Sequence, residues 1–308
     1  MSNSLAAGPV SRLVRDMSAQ TTPVAGLLRD HSFEVTVRDH GTVLADDGRV
    51  ASGTRVHITA LAHENTRDRV AAAGAVRAAG LVPVPHIAAR RLRSERELYD
   101  LVARLADVDA AASLFLVAGD PRQPAGPYPD SAAVIRSGLL ARHDVRDVSI
   151  AGYPEGHPRI SDRVLLEALH EKTSLLAEQG CAATIVTQFS FDADRVLGWV
   201  AMLRRAGIHA PVRIGTPGRT GVRRLLALAA QCGVASSASI VQKYGFSLTN
   251  LLGTAGPERF VHRLADQLRP EHGTVKLHIY AFGGLTDALP DSIAGAAAAE
   301  AAEPVMHG

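Results

Sequence analysis

Eight short runs rich in β-branched and aromatic residues recur along the chain at fairly even intervals, and they limit its fold more than any other feature. They are SFEVTVR (32–38), RVHITA (55–60), VPVPHIA (82–88), SLFLVAG (113–119), DVSIAG (147–152), ATIVTQF (183–189), PVRIGT (211–216) and KLHIYAF (276–282). Most are separated by segments with helical spacing, as in ERELYDLVARLADV, where Leu98, Leu101, Val102 and Leu105 share one face. Parallel neighbours need a crossover of about a dozen residues or more, so strands alternating with helices predict an α/β fold, a parallel eight-stranded (β/α)8 TIM barrel. The length of 308 residues suits one such domain, whose usual size is about 250 residues. A single domain over 1–308 is therefore expected, with an N-terminal extension over about 1–29 and an alanine-rich tail over about 291–308. The span 217–275 holds more than one helix, which predicts an insertion in the seventh crossover.

Composition narrows the function classes. Hydrophobic residues make up 46% and charged residues 21%, enough to bury a large core, and the net charge of +2 comes without a run of like charge. Nucleic acid is not an expected partner. No apolar stretch reaches the roughly 18 residues of a membrane span, no signal peptide is evident, and Cys181 and Cys232 form no CxxC pair. A cytoplasmic protein without disulfides is expected, with no membrane partner, and a homo-oligomer is compatible with the sequence.

In such a barrel the chemistry sits at the carboxyl ends of the strands. Those ends hold Glu34, Thr59, His86, Asp120, Tyr153 with His157, and Gln188. The first strand alternates Phe33, Val35 and Val37 with Ser32, Glu34, Thr36 and Arg38, so its polar face enters the mouth. A carboxylate there is desolvated, which raises its pKa and suits a general acid, while an ion pair with Arg38 is the structural alternative. Asp120 brings a second carboxylate to the same end. No His, Asp or Glu pair has ligand spacing, so no metal is expected. His57, His63, His209 and His278 read as core histidines. Trp199 with Val196, Met202 and Leu203 reads as a buried helix face, and IGTPGRTGVRR (214–224) is either a phosphate-binding turn or a plain one.

The stretch DVSIAGYPEGHPRI (147–160) crowds proline, glycine, Tyr153, Glu155 and His157 behind a strand. With the residues above, it resembles the methylenetetrahydrofolate reductase family: AGYPEGHP resembles the family's AAYPEVHP, and TQFSFD (187–192) its TQFFFD. SFE (32–34), ITALAHENTRDR (58–69) and HIYAFGG (278–284) extend the resemblance over roughly 30–285.

The resemblance implies an oxidoreductase that interconverts 5,10-methylenetetrahydrofolate and 5-methyltetrahydrofolate by hydride transfer through bound FAD. It implies Glu34 as the general acid that opens the imidazolidine ring and Asp120 as the carboxylate that favours positive charge on the pterin. Gln188 and Phe189 would contact the substrate. Thr59, His86, Gly119, Asp120, Tyr128, Tyr153, His157 and Lys172 would contact the flavin, and NAD(P)H is the implied electron donor.

Four departures bear on these roles. EVTVRD replaces EFFPP, VAGD replaces LRGD and puts Ala118 where the family has arginine, and Gly284 stands in place of another arginine. The helix after His157 lacks the family's LKRK cluster and has only His170 and Lys172 nearby. FAD is therefore expected to be held weakly. A flavin-independent, NADH-dependent reductase and a non-redox tetrahydrofolate-binding protein of a one-carbon or demethylation pathway are the alternatives.

Overall fold

The computed structural model describes residues 23–39, 50–62, 64–221, 254–255, 257–281, 285 and 288. His63, Cys232, Gly284, the alanine-rich stretch from 291 onward and most of the expected insertion lie outside the described residues. Eight strands close into a barrel: β1 (Ser32–Val35), β2 (Arg55–Ile58), β3 (Val82–Ala88), β4 (Ser113–Val117), β5 (Asp147–Gly152), β6 (Ala182–Phe189), β7 (Val212–Pro217) and β8 (Val275–Tyr280). Their order around the barrel is β1-β8-β7-β6-β5-β4-β3-β2, and every pairing is parallel. The expected (β/α)8 architecture is thus the observed one.

The described helices are α1 (Pro23–Leu28), α2 (Thr66–Ala78), α3 (Glu95–Asp107), α4 (Ser131–Arg136), α5 (Asp162–Glu178), α6 (Ala193–Arg205) and α7 (Glu258–Gln267). Four begin where a side chain accepts a hydrogen bond from an otherwise orphaned amide: Asn65 from Asp68, Ser94 from Glu97, Asp130 from Ala133 and Asp192 from Arg195. Leu98, Leu101, Val102 and Leu105 are the buried face of α3, as their spacing requires.

The strand period of two sorts residues between two layers. Phe33, Val35, Val56, Ile58, Ile87, Ile150, Ile185 and Ile214 point outward and merge with the helix faces into one large core. A separate small cluster, Val84, Phe115 and Val186, lies inside the barrel. Much of the remaining interior is polar: Ser32, His57, His86, Ser149, Arg213 and His278 are all buried. Pro83 and Pro85 interrupt β3, yet cost no bond to β4. Val82 donates to Thr54 on the β2 side, so the prolines face the other way, and β4 joins only at His86↔Phe115.

An ion network closes the amino end of the barrel. Asp30, in the left-handed region at φ 59°, follows α1 and receives Arg55 at 2.5 Å and Arg213 at 2.7 Å. Arg55 also reaches Asp147 at 3.6 Å.

β1 is shorter than its alternation suggests. Its last ladder partners are Val35↔Ile58 and Glu34↔Tyr280, and beyond them Val37–Asp39 turns into a single 3-10 turn. The Val37 amide donates to Glu64 rather than to a strand. Arg38 therefore leaves the strand face and is exposed.

Candidate functional site

Glu34 enters the barrel at the carboxyl end of β1, fixed on both sides by the backbone. Ala281 donates to the Glu34 carbonyl at 2.9 Å and Thr59 to the Val35 carbonyl at 3.0 Å. Its side chain is 14% exposed and meets imidazoles: His278 Nε2 lies 3.4 Å and His86 Nε2 3.6 Å from the same oxygen, Oε2. The alternative pairing with Arg38 is not the one the carboxylate makes.

The expectation of a raised Glu34 pKa is overturned. Burial does push the carboxyl up, but the hydrogen bond from His278 and the positive charges that His86 and His278 can carry outweigh it, and the net direction is down. His86 is itself driven to about 4, chiefly by burial against a smaller opposing pull from Glu34. Near neutral pH His86 is uncharged, so the His278 hydrogen bond is the main support of the ionised form.

His57 and His278, read from sequence as ordinary core residues, belong to this site. The His57 ring packs 4.6 Å from His278, 5.7 Å from His86 and 5.4 Å from Phe115, and neither of its nitrogens has a hydrogen-bond partner among the described residues. Burial and the nearby cationic groups hold its pKa well below the usual value. A signal was available: β2, β3 and β8 each carry a His-Ile pair, at 57–58, 86–87 and 278–279. The closed strand order sets those three strands around β1 and its glutamate.

Two neutral imidazoles inside the barrel make acid costly. His86 has a folded pKa near 4 against an ordinary 6.5, so its contribution is complete above about pH 6.5 and is lost as pH falls toward 4. At about 1.4 kcal/mol per unit, wild-type protein should lose about 2 kcal/mol more than His86→Phe between pH 7 and pH 4.5. Urea unfolding at the two pH values measures this. Equal losses would mean that His86 protonates freely in the folded protein.

From β8 an aromatic wall runs toward β6. Tyr280 packs 5.0 Å from His278 and 5.5 Å from Phe189, which meets Phe191 at 5.8 Å, and the Tyr280 hydroxyl donates to the Thr187 carbonyl. Gln188 is half-buried between Thr187 and Phe189. Flat rings beside an amide and a buried carboxylate suit a planar heterocycle that carries donors and acceptors.

The loop after β5 is tied to the loop after β6. Ser190 Oγ donates to Glu155 at 2.6 Å, and Arg195 donates to the carbonyls of Pro154 and Glu155. This accounts for the glutamate in YPEGHP: it docks one motif on the other. Gly152 is needed just before it, because a Cβ there would come within 2.7 Å of Trp199 and Ile185. Tyr153 and His157, both half-buried, face each other at 5.4 Å, and His157 Nδ1 accepts from the Arg159 amide. Behind them Tyr153, Leu165, Trp199 and Met202 line a cavity of about 90 Å³.

The other expected contacts are more dispersed. Gly119 turns at φ +87°, which only glycine adopts without strain, and carries Asp120 to the rim, where its side chain is 95% exposed and lies 3.3 Å from Arg91. Tyr128 is buried in the main core. Lys172 is buried on α5, its pKa lowered to about 8 by burial against the opposing pull of Asp130 and Glu171. Thr59 Oγ1 and His86 Nε2 are buried without hydrogen-bond partners, His86 Nε2 lying 3.6 Å from Glu34 Oε2.

These placements test the fit of FAD. The orphaned atoms of Thr59 and His86 suit a heterocyclic ring. A diphosphate needs cations, and the assigned positions supply Ala118, a core tyrosine and a lysine between carboxylates. The set does not fit the whole dinucleotide. Among the described residues no group of His, Cys, Asp or Glu could hold a metal ion, and no helix is long and apolar enough to cross a membrane.

A family model described as methylenetetrahydrofolate reductase matches residues 127–282, half of the chain. Among solved structures, dihydropteroate synthase from Thermus thermophilus in complex with 6HMPPP is similar at 15% identity and TM-score 0.48, covering 87% of this chain and 92% of that one. Deoxyribose phosphate aldolase from Aeropyrum pernix is similar at 12% identity and TM-score 0.39, covering 92% of this chain and 97% of that one.

Proposed function

Because the chain belongs to the methylenetetrahydrofolate reductase family, a folate-related reductase family, we propose that it reduces the methylene bridge of 5,10-methylenetetrahydrofolate to the methyl group of 5-methyltetrahydrofolate. The observation that carries this reading is Glu34, a buried carboxylate at the barrel mouth contacted by two imidazoles and followed by an aromatic wall. Glu34 gives a proton to the bridge nitrogen that leaves, the carbon–nitrogen bond breaks toward that nitrogen, and a cationic iminium remains on the other. A hydride then adds to the iminium carbon. Gln188 orients the pterin edge through its paired donor and acceptor, and Phe189 and Tyr280 present ring faces.

Asp120 acts on the iminium. Its present exposure screens its charge, so it contributes little until a bound substrate covers the rim and lowers the local dielectric. Asp120→Asn should therefore lower kcat about tenfold while KM for the folate changes less. A loss confined to KM would make Asp120 a positioning residue.

The hydride source has two readings. In the first, a weakly held flavin, its ring beside Thr59 and His86, would be the hydride donor. The second is direct transfer from NADH, whose own diphosphate makes the same demand for cations, so the poor fit of Ala118, Tyr128 and Lys172 bears on both readings. We assign no step to the flavin. The decisive experiment incubates purified protein with methylenetetrahydrofolate and NADH, with and without FAD, and measures methyltetrahydrofolate formed. Tight folate binding with no product under either condition would favour the non-redox alternative.

A further inference from the structure

Glu34 as an acid poses a chemical difficulty that its neighbours also resolve. When Glu34 is ionised, His278 Nε2 must carry the hydrogen it offers to Oε2 at 3.4 Å, and Nδ1 then accepts from Ser32 Oγ at 2.9 Å. Ser32 and His278 are both 0% exposed, so no bulk water intervenes. A hydroxyl can donate or accept as its hydrogen rotates. If His278 gains a proton at Nδ1, Ser32 turns to accept it, and Nε2 can pass its own hydrogen to Glu34. The same serine thus supports His278 with either nitrogen protonated.

The surroundings single out this imidazole. His57 on β2, at 4.6 Å, and His86 on β3, which addresses the same carboxylate oxygen, are both kept neutral by burial near pH 7. Tyr280 presents its ring at 5.0 Å on β8 itself, and β7 places Gly215, which does not titrate, opposite His278. Neither histidine contact engages Oε1 of Glu34, which leaves that oxygen for a substrate nitrogen.

We propose that Glu34 and His278 hold one proton between them and deliver it as a pair, with His278 a positioning residue that restores the proton to Glu34. This rests on the reading of Glu34 as the proton donor. In each turnover the pair starts as carboxylate and imidazolium: the Nε2 hydrogen of His278 moves to Glu34, and Glu34 passes a proton to the leaving nitrogen. His278 stays neutral with its hydrogen on Nδ1 toward Ser32 until a proton from water, entering at the partly exposed carboxylate, restores the pair.

The test combines ¹⁵N NMR of the histidines in the intact protein with the pH dependence of kcat for wild type, His278→Gln and Ser32→Ala. Glutamine keeps a donor to Glu34 but cannot carry the proton. In His278→Gln the alkaline fall of kcat should move to lower pH by about one unit or more, so that kcat at pH 8 drops about tenfold, with KM for the folate little changed. Ser32→Ala should shift the limb in the same direction by less. In wild type at pH 9, His278 should be the Nε2–H tautomer.

Three outcomes overturn the proposal. An unchanged pH limb in His278→Gln, with Glu34→Gln inactive, removes the pair and leaves Glu34 as the acid. Activity in Glu34→Gln removes both. If His278→Gln does not fold, an Nδ1–H tautomer in wild type at pH 9 decides against the pair.

Discussion

Glu34→Gln is expected to lower kcat by about a hundredfold or more while leaving the folded structure and folate binding nearly intact. The change is close to isosteric, and the amide oxygen can still accept from His278 at the distance Oε2 now occupies. What it cannot do is give up a proton. General-acid contributions run to about 10²–10⁴-fold, and a hundredfold loss corresponds to about 2.7 kcal/mol of transition-state stabilisation. The surrounding imidazoles sharpen the expectation, because among the described residues they are the polar side chains that meet this carboxylate, and glutamine adds no charge to them. Thermal unfolding and folate titration measure folding and binding separately from turnover. Near wild-type kcat would remove Glu34 from the mechanism and leave it a structural acceptor for His278.

The fold could be read from the chain because the strands declare themselves twice, by β-branched content and by spacing. β3 and β5 run over the expected residues, and the others differ by a few residues at their ends. β1 failed at Thr36 for a reason outside its own sequence: the neighbouring strands stop offering partners at Ile58 and Tyr280. Glu34 was legible from its alternation in β1. The histidines around it were not, because a single histidine on a strand looks like any half-buried residue. Only the closed order, with β8 and β2 flanking β1 and β3 beyond, turns three separate His-Ile pairs into one cluster. The direction of the Glu34 pKa was missed for the same reason: burial is visible in a pattern of residues, whereas the hydrogen bond that outweighs burial comes from a strand more than 240 residues away. Glu155 shows the converse, a motif residue whose partner, Ser190, lies in the other motif.

FAD is expected to bind with a dissociation constant in the micromolar range or weaker, to be lost on gel filtration, and to restore activity when added back if the flavin reading holds. A charge-assisted hydrogen bond to a phosphate contributes about 1.5–3 kcal/mol, so two missing contacts weaken binding by about a hundredfold or more at roughly 1.4 kcal/mol per decade. Both kinds of loss are present. Ala118 offers no donor, and Lys172 sits buried with Asp130 and Glu171 as its nearest charges, so turning it to a phosphate would mean leaving them. His157 does not replace them, because burial and Arg159 lower its pKa and leave it mostly neutral near pH 7. Arg91 is a cation on the rim, but it lies against Asp120, and its buried Nε has no partner among the described residues. Quenching of flavin fluorescence on titration into the purified protein measures the constant directly. A nanomolar value would show that other groups, Arg91 first among them, hold the diphosphate. No binding together with NADH-driven methyltetrahydrofolate formation would establish direct hydride transfer, and the orphaned Thr59 and His86 atoms would then face the nicotinamide or the pterin itself.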